Sequence, residues 1–259
     1  MSEAVKRKKK PINWTGIVAP LVVLAVIFIV CEIVARLGLV SEYILPAPSK
    51  IVSGVFRKFT TDIWQHYWLT LRVILIGFVV ATFLGMLLAA LISQSGLVTK
   101  AVSPVIIFMV ITPMITLIPL LTLWLGYDPM QRVYVVIIQA TPIITLNTLN
   151  GFNNLETEKM ELSRSVGCNK LQRFIKVTFM NAMPQVFTGI KLGCINATIA
   201  ALSADSVSGN IGMGYKIKQY VKYNNIDLAY GCILLVAITG LIIYNIVNRI
   251  EHKVVLWKN

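Results

Sequence analysis

Trp68–Ile92 reads WLTLRVILIGFVVATFLGMLLAALI, with one charged residue, Arg72, close to its start. Apolar side chains fall at every angle around a helix built on it, not on one stripe or on alternate positions. At about 1.5 Å per residue, such a helix crosses the roughly 30 Å hydrocarbon layer of a bilayer. Five further windows have the same character: Trp14–Leu37, Val102–Leu125, Val133–Leu149, Val186–Leu202 and Leu228–Val247. Helices are preferred because a lipid-embedded segment must satisfy its own backbone N–H and C=O groups. The alternation of about ten residues that marks barrel strands does not recur. The expectation is an all-α membrane protein with six transmembrane helices.

Composition agrees. The chain has 259 residues, 56% hydrophobic and only 14% charged, with a mean hydropathy of +0.75. A soluble domain carries about a quarter charged residues and could not hide this much apolar surface in one core. The net charge of +13 reads as a topology signal and an attraction to anionic lipid. Lys6, Arg7, Lys8, Lys9 and Lys10 directly precede the first window. They make residues 1–13 a basic cytoplasmic leader, and six crossings then return the C-terminus to the cytoplasm. With that leader counted, 15 basic residues fall in the segments this topology puts inside and 9 in those it puts outside, a moderate bias. The first window is longer than the apolar region of a cleaved signal and lacks a small-x-small closing pattern, so it is kept as a span. No folded basic domain accompanies the lysine run, which argues against nucleic acid as a partner.

Residues 14–259 form one domain with three informative connections. Leu45-Pro46-Ala47-Pro48-Ser49 predicts a turn, with Ser49 capping a surface helix over Lys50–Phe59. The cytoplasmic segment 150–183 is amphipathic and predicts two short helices joined at Gly167, with an apolar face that needs a cover. The outer segment 205–227 begins with Gly209, Gly212 and Gly214 and predicts a tight, re-entrant-like turn. Pro104, Pro113, Pro119 and Pro142 interrupt the third and fourth windows, and such kinks are tolerated at depth where protein or a watery cavity surrounds them. Cys31, Cys168, Cys194 and Cys232 are not spaced as metal or redox pairs and read as packing residues. His66 and His252 belong to no catalytic pattern, and no phosphate-binding Gly-Lys-Ser/Thr loop occurs.

Glu161-Leu162-Ser163-Arg164-Ser165-Val166-Gly167, followed by Phe174, Val177 and Pro184, resembles the cytoplasmic loop of permease subunits of binding-protein-dependent ABC importers. Leu45-Pro46-Ala47-Pro48-Ser49, Ile118-Pro119-Leu120 with Trp124-Leu125-Gly126, Asn147-Thr148-Leu149-Asn150-Gly151, and Ala204-Asp205 with Gly212-Met213-Gly214 are similar to motifs of the branch that imports sulfonates, taurine and nitrate. Leu162-Ser163 in place of two alanines, Phe179-Met180 in place of Leu-Pro, and Asp205 in place of glutamate depart from the pattern.

The resemblance implies a type I ABC importer-like fold in a prokaryotic cytoplasmic (inner) membrane. It implies a non-enzymatic, channel-forming subunit without a cofactor of its own. ATP and Mg are used by a partner ABC ATPase dimer, and a substrate-binding protein delivers a small solute: an organic sulfonate, a nitrate-like anion or a vitamin precursor. A permease homodimer would place an alternating-access path on its two-fold axis. The ATPase-coupling residues it implies are Glu161, Arg164, Gly167, Phe174 and Pro184, with Phe174 supplying buried area at the partner's groove. Lys50, Arg57, Lys58 and Lys216–Lys222 would offer the binding protein a basic face, or contact headgroups. Thr112, Thr116, Gln139, Thr141, Thr145, Asn196, Thr198 and Ser203 are polar residues inside spans and either line the path or hold helices together. Asp205 either caps the glycine-rich segment or contacts the substrate as a gate. An ion-gradient-driven secondary transporter is the alternative. It calls for an inverted repeat and buried ion-binding acids at the midplane, and neither is visible.

Overall fold

The computed structural model describes residues 14–155 and 157–256. Every regular element among the described residues is a helix, with no strand. Helix α1 spans Trp14–Arg36 and α2 spans Pro48–Lys58. A π-helical turn at Phe59–Ile63 carries α2 into α3, Trp64–Ile92, so helical backbone runs unbroken from Pro48 to Ile92. The expected surface helix is therefore the first part of a longer element. Its cap differs from the expectation. The Ser49 amide and hydroxyl donate to the Glu32 carboxylate of α1, at 3.0 and 2.7 Å. The acid that holds the N-terminus of α2 thus comes from the preceding helix.

The third window is not one straight span. Helices α4 (Gly96–Ile111) and α5 (Met114–Leu125) meet at 93°. Thr112 is extended, with ψ 122°, as a residue before proline prefers. Of the three prolines, Pro113 makes the break, while Pro104 and Pro119 stay within helices. Helix α6 covers Pro129–Asn153, begun by Asp128, which accepts from the Met130 amide at 2.7 Å. Two short helices follow, α7 (Thr157–Ser165) and α8 (Lys170–Arg173). A second π-helical turn, Phe174–Phe179, leads into α9, Met180–Val207. Helix is continuous from Lys170 to Val207, so the second half of the 150–183 segment is an extension of a span and not a loop. The 205–227 segment is likewise mostly helix: α9 runs on to Val207 and α10 occupies Met213–Lys222. Helix α11, Ile226–Val254, ends the fold.

Four continuous helical elements among the described residues have the length and composition of spans, and the bent α4–α5 pair makes a fifth. Together with the 23-residue α1, they account for the six apolar windows. The short fourth and fifth windows lie in helices of 25 and 28 residues. These run past the apolar windows because the polar side chains at their ends, Gln131, Arg132 and Asp205, are buried among protein groups.

The centre is the α3–α6–α9 group. Helix α6 lies between the other two, and small residues let the backbones approach. Ile144, with no exposed surface, sits between Gly85 of α3 and Gly193 of α9. A Cβ at Gly85 would come within 2.8 Å of the Ile144 side chain, and one at Gly193 within 2.6 Å. Gly77 faces Val136 in the same way. Dispersion between close-packed helices carries association here, because lipid is as apolar as the helix faces. Gly85→Val and Gly193→Val should each destabilise the fold by about 1–3 kcal/mol through overpacking. A thermal-unfolding midpoint measured in detergent that stays at the wild-type value for both would contradict the close approach.

Candidate functional site

Three groups of polar residues interrupt the apolar interior. The first joins α3, α6, α9 and the glycine-rich turn. Asp205, near the end of α9, is completely buried. One carboxylate oxygen accepts from the Thr70 hydroxyl at 2.5 Å, and the other accepts from the Arg132 guanidinium at 3.1 Å. Arg132, itself buried, also donates to the Ile211 carbonyl at 2.7 Å. The Met213 amide donates to Thr70 at 2.8 Å, and the Gly212 amide donates to the Nδ1 of His66 at 3.0 Å. Gly212 has φ +118°, and the Asp205 carboxylate occupies the space where its Cβ would be, so only glycine fits. Beside this clamp, Gln131 donates to Thr122 and accepts from Ser208, both at 3.0 Å.

Asp205 therefore binds the turn to the helices from inside, with no surface left for solvent. The basic residues expected on the outer face are also partly withdrawn. Lys216 is buried and ion-paired with Asp62 at 2.6 Å, Lys50 pairs with Glu42 at 2.6 Å, and Lys218 donates to the Ser206 carbonyl. Tyr220 donates to Asp62 at 2.7 Å, and burial together with that carboxylate pushes its phenol above the ordinary tyrosine range.

The second group lies deeper between α6 and α9. Gln139 donates to Asn196 at 3.2 Å, and Asn196 donates back to the Leu192 carbonyl. Both side chains are half-buried. These are the two expected path residues that the fold brings together. Thr112 and Thr116 stand at the α4–α5 bend, and each donates to a backbone carbonyl of its own turn. Thr145 and Thr198 likewise bond to their own helices. Ser203 is half-buried on α9. The buried hydroxyls of Thr141 and Thr148 have no hydrogen-bond partner among the described residues.

The third group is the α7–α8 element. Gly167 has φ +74° and ends α7 in a left-handed cap, with its amide donating to the Arg164 carbonyl and the Cys168 amide to the Ser163 carbonyl. Asn169 and Gln172 then form a reciprocal capping box that starts α8, at 2.8 and 3.1 Å. Glu161 and Arg164 are exposed on α7, while Ser163 is buried. Phe174 departs from its expected place. Its ring packs on Phe152 of α6 at 5.2 Å between centroids, within the chain's own core. The apolar side chains facing outward are Leu162, Val166, Leu171 and Ile175, each more than half exposed. Pro184 lies within α9, and Thr188 donates to its carbonyl at 2.9 Å.

The described residues thus combine a bundle of apolar spans, a glycine-rich turn locked by a buried acid, and an outward-facing helix pair between α6 and α9. Residues 81–255 match the family described as binding-protein-dependent transport system inner membrane component. The chain belongs to that family. It is 26% identical over 92% of its length to the formylaminopyrimidine transport permease of Halalkalibacterium halodurans, covering 95% of that protein. It is 24% identical over 96% of its length to the nitrate import permease of a Synechocystis species, covering 94% of it. The MetNI methionine ABC transporter in inward-facing conformations shares the fold with a TM-score of 0.58, at 20% identity over 78% of this chain and 98% of the other. The chain is thus a membrane permease subunit of the binding-protein-dependent ABC importer family. Such permeases are the non-catalytic subunits of their transporters, with the ATPase in a partner chain.

Arg132 and Thr70 escaped the sequence reading. The sole signal was an acid within a span, which calls for a partner; nothing in the sequence pairs residue 132 with residue 205. Removing either member of a buried ion pair strands the other, a loss of about 3–5 kcal/mol. Asp205→Ala and Arg132→Ala should each lower the unfolding midpoint, and the double variant should cost much less than their sum. Strict additivity in that cycle would contradict the pairing.

Proposed function

We propose that this permease imports a small solute by ATP-driven alternating access, as one of two identical subunits around a central path. The observation that carries the reading is the α7–α8 element. With the start of the π-helical turn that follows, it holds Glu161, Arg164 and four exposed apolar side chains within residues 161–175, in the stretch of chain between the two central helices α6 and α9. An exposed apolar face among charges is a docking surface in search of a partner. Here the partner is the ABC ATPase subunit, which hydrolyses ATP with Mg while this chain supplies no catalytic group. Because α8 continues into α9 without a break, displacement of the docked turn is carried into the helix that bears Asn196. Alternating access then needs only two positions of that helix whose contacts differ in energy between ATPase states.

Gln139 and Asn196 are the residues proposed to meet the solute, with Thr112, Thr116, Thr145 and Ser203 as further polar positions along the spans. Neutral amides suit the passage of a small polar molecule without trapping it. The substrate class remains that of the branch: an organic sulfonate, a nitrate-like anion or a vitamin precursor, delivered by an extracytoplasmic binding protein. Both termini are placed in the cytoplasm on the strength of the basic leader and the basic 150–183 segment.

The reading is tested in proteoliposomes containing permease, ATPase and binding protein. Gly167→Pro, which cannot adopt the required φ, and Glu161→Lys should abolish solute-stimulated ATP hydrolysis and uptake while basal hydrolysis and folding persist. Unchanged solute-stimulated ATPase activity in both variants would remove the coupling role. Asn196→Leu should instead lower uptake with coupling intact, and wild-type uptake would remove this residue from the path.

A further inference from the structure

His66 is one of two histidines in the chain. It stands in the first turn of α3, half-buried beside the glycine-rich turn. Its Nδ1 accepts from the Gly212 amide at 3.0 Å. Gly212 directly precedes α10 and holds φ +118°. The ring also lies against Tyr215, in the first turn of α10, with centroids 6.0 Å apart and planes 28° from parallel. One imidazole thus fastens α3 to the start of α10, through its lone pair and through its face.

An amide N–H can only donate. Nδ1 must therefore carry a lone pair, and the ring must be neutral with its proton on Nε2. Protonation turns Nδ1 into a donor. Two N–H groups then face each other 3.0 Å apart, and either the turn or the ring has to move. The neighbouring charges do not absorb the added one. Asp62, about one turn before His66 on the same helical run, is paired with Lys216 of α10 at 2.6 Å and accepts from Tyr220 at 2.7 Å. Asp62 and Lys216 both act on the ring electrostatically. One turn further along α3, Thr70 leads to Asp205 of α9, which is paired with Arg132 of α6. Each acid already has its cation. An imidazolium at residue 66 has Asp62 to turn to, in competition with Lys216, and that competition weakens a second contact between α10 and the α3 run.

We propose that His66 is an acid-sensitive latch on the glycine-rich turn, closed when the imidazole is neutral and opened by its protonation. A free imidazole titrates at about pH 6.5, where no other unperturbed side chain changes charge. Opening removes one of three hydrogen bonds that hold the turn. Arg132 still binds the Ile211 carbonyl and Thr70 the Met213 amide, so residues 211–213 loosen while the buried clamp stays intact. Helix α10 then follows the movements of α3 less closely, and acid slows uptake. The latch itself needs no assumption about the solute or the ATPase.

The test is amide hydrogen exchange on the full chain in its native complex, at about pH 7.5 and about pH 5.5, corrected for the intrinsic effect of pH on exchange. In the wild type, exchange over residues 208–214 should rise about tenfold at the lower pH, the change expected from loss of one hydrogen bond. His66→Asn keeps an acceptor oxygen near the Nδ1 position and cannot titrate, so the segment should stay protected at both pH values. His66→Leu has no acceptor and should exchange fast at both. Equal protection of the wild type at the two pH values overturns the proposal. So does an acid-induced rise of the same size in His66→Asn, which assigns the titration to Asp62 or Asp205. Should His66→Leu fail to fold, the wild type and His66→Asn still decide the matter. Exchange needs neither solute nor ATP, so failure of the latch is distinguished from failure of the transport reading. In proteoliposomes, wild-type uptake should fall with acid relative to His66→Asn, and identical pH profiles of uptake for the two would overturn the effect on transport.

Discussion

The placement of α6 between α3 and α9 is the constraint from which the rest of the structure follows. Ile144 is held between Gly85 and Gly193 with no exposed surface. At that separation the helices have no room to slide, because a packed interior does not deform continuously. Everything with a chemical role is referred to this frame. Arg132 and Gln131 are positioned by the start of α6, Gln139 by its middle, and Phe152 by its end. A membrane protein cannot use the exclusion of water to hold helices together once they are in lipid. Shape and close approach must do what apolar burial does in a soluble core.

Polar groups within the spans divide according to whether their partners lie in the same helix. Thr112, Thr116, Thr145 and Thr198 turn back on their own carbonyls. They would be equally content in isolated helices. Asp205, Arg132 and Thr70 are satisfied only when three helices and the glycine-rich turn are assembled. In a low-dielectric interior, such a set is strongly favourable complete and costly when broken. It therefore acts as a check on assembly, and it fixes where α10 begins. A comparable link, Lys191 to Glu251 at 2.6 Å, ties α9 to α11 elsewhere in the bundle.

Much of this was legible from the chain. The apolar windows gave the helices, the prolines marked a weak point in the third window, and Gly167 marked the bend between two short helices. Each of these is a local property, set by a few neighbouring residues. What was hidden is non-local. No sequence rule singles out Pro113 over Pro104 and Pro119 as the site of a 93° bend, since that depends on what the two arms pack against. Phe174 was expected at a partner's groove on the strength of the resemblance alone, and its ring instead packs on Phe152 of α6, beside a π-helical turn that shifts the helix face. Ser49 looked like a cap because serine usually is one, yet Glu32, seventeen positions earlier, reached it first. The ends of α6 and α9 were set too short because charged side chains were read as helix boundaries when they are buried pairs.

The unbroken helix from Lys170 to Val207 has a mechanical consequence. It is pinned partway along its length, where Gly189 and Gly193 touch α6. From residue 191 to one end is about 32 Å, and to the other about 24 Å. The same rod is held again at its far end, where Asp205 is fastened to Thr70 of α3 and Arg132 of α6. Two pins on one rigid element leave a single free arm, from Lys170 to Gly189. A force applied to that arm must either bend it, near Pro184, or turn α3, α6 and α9 together as one body.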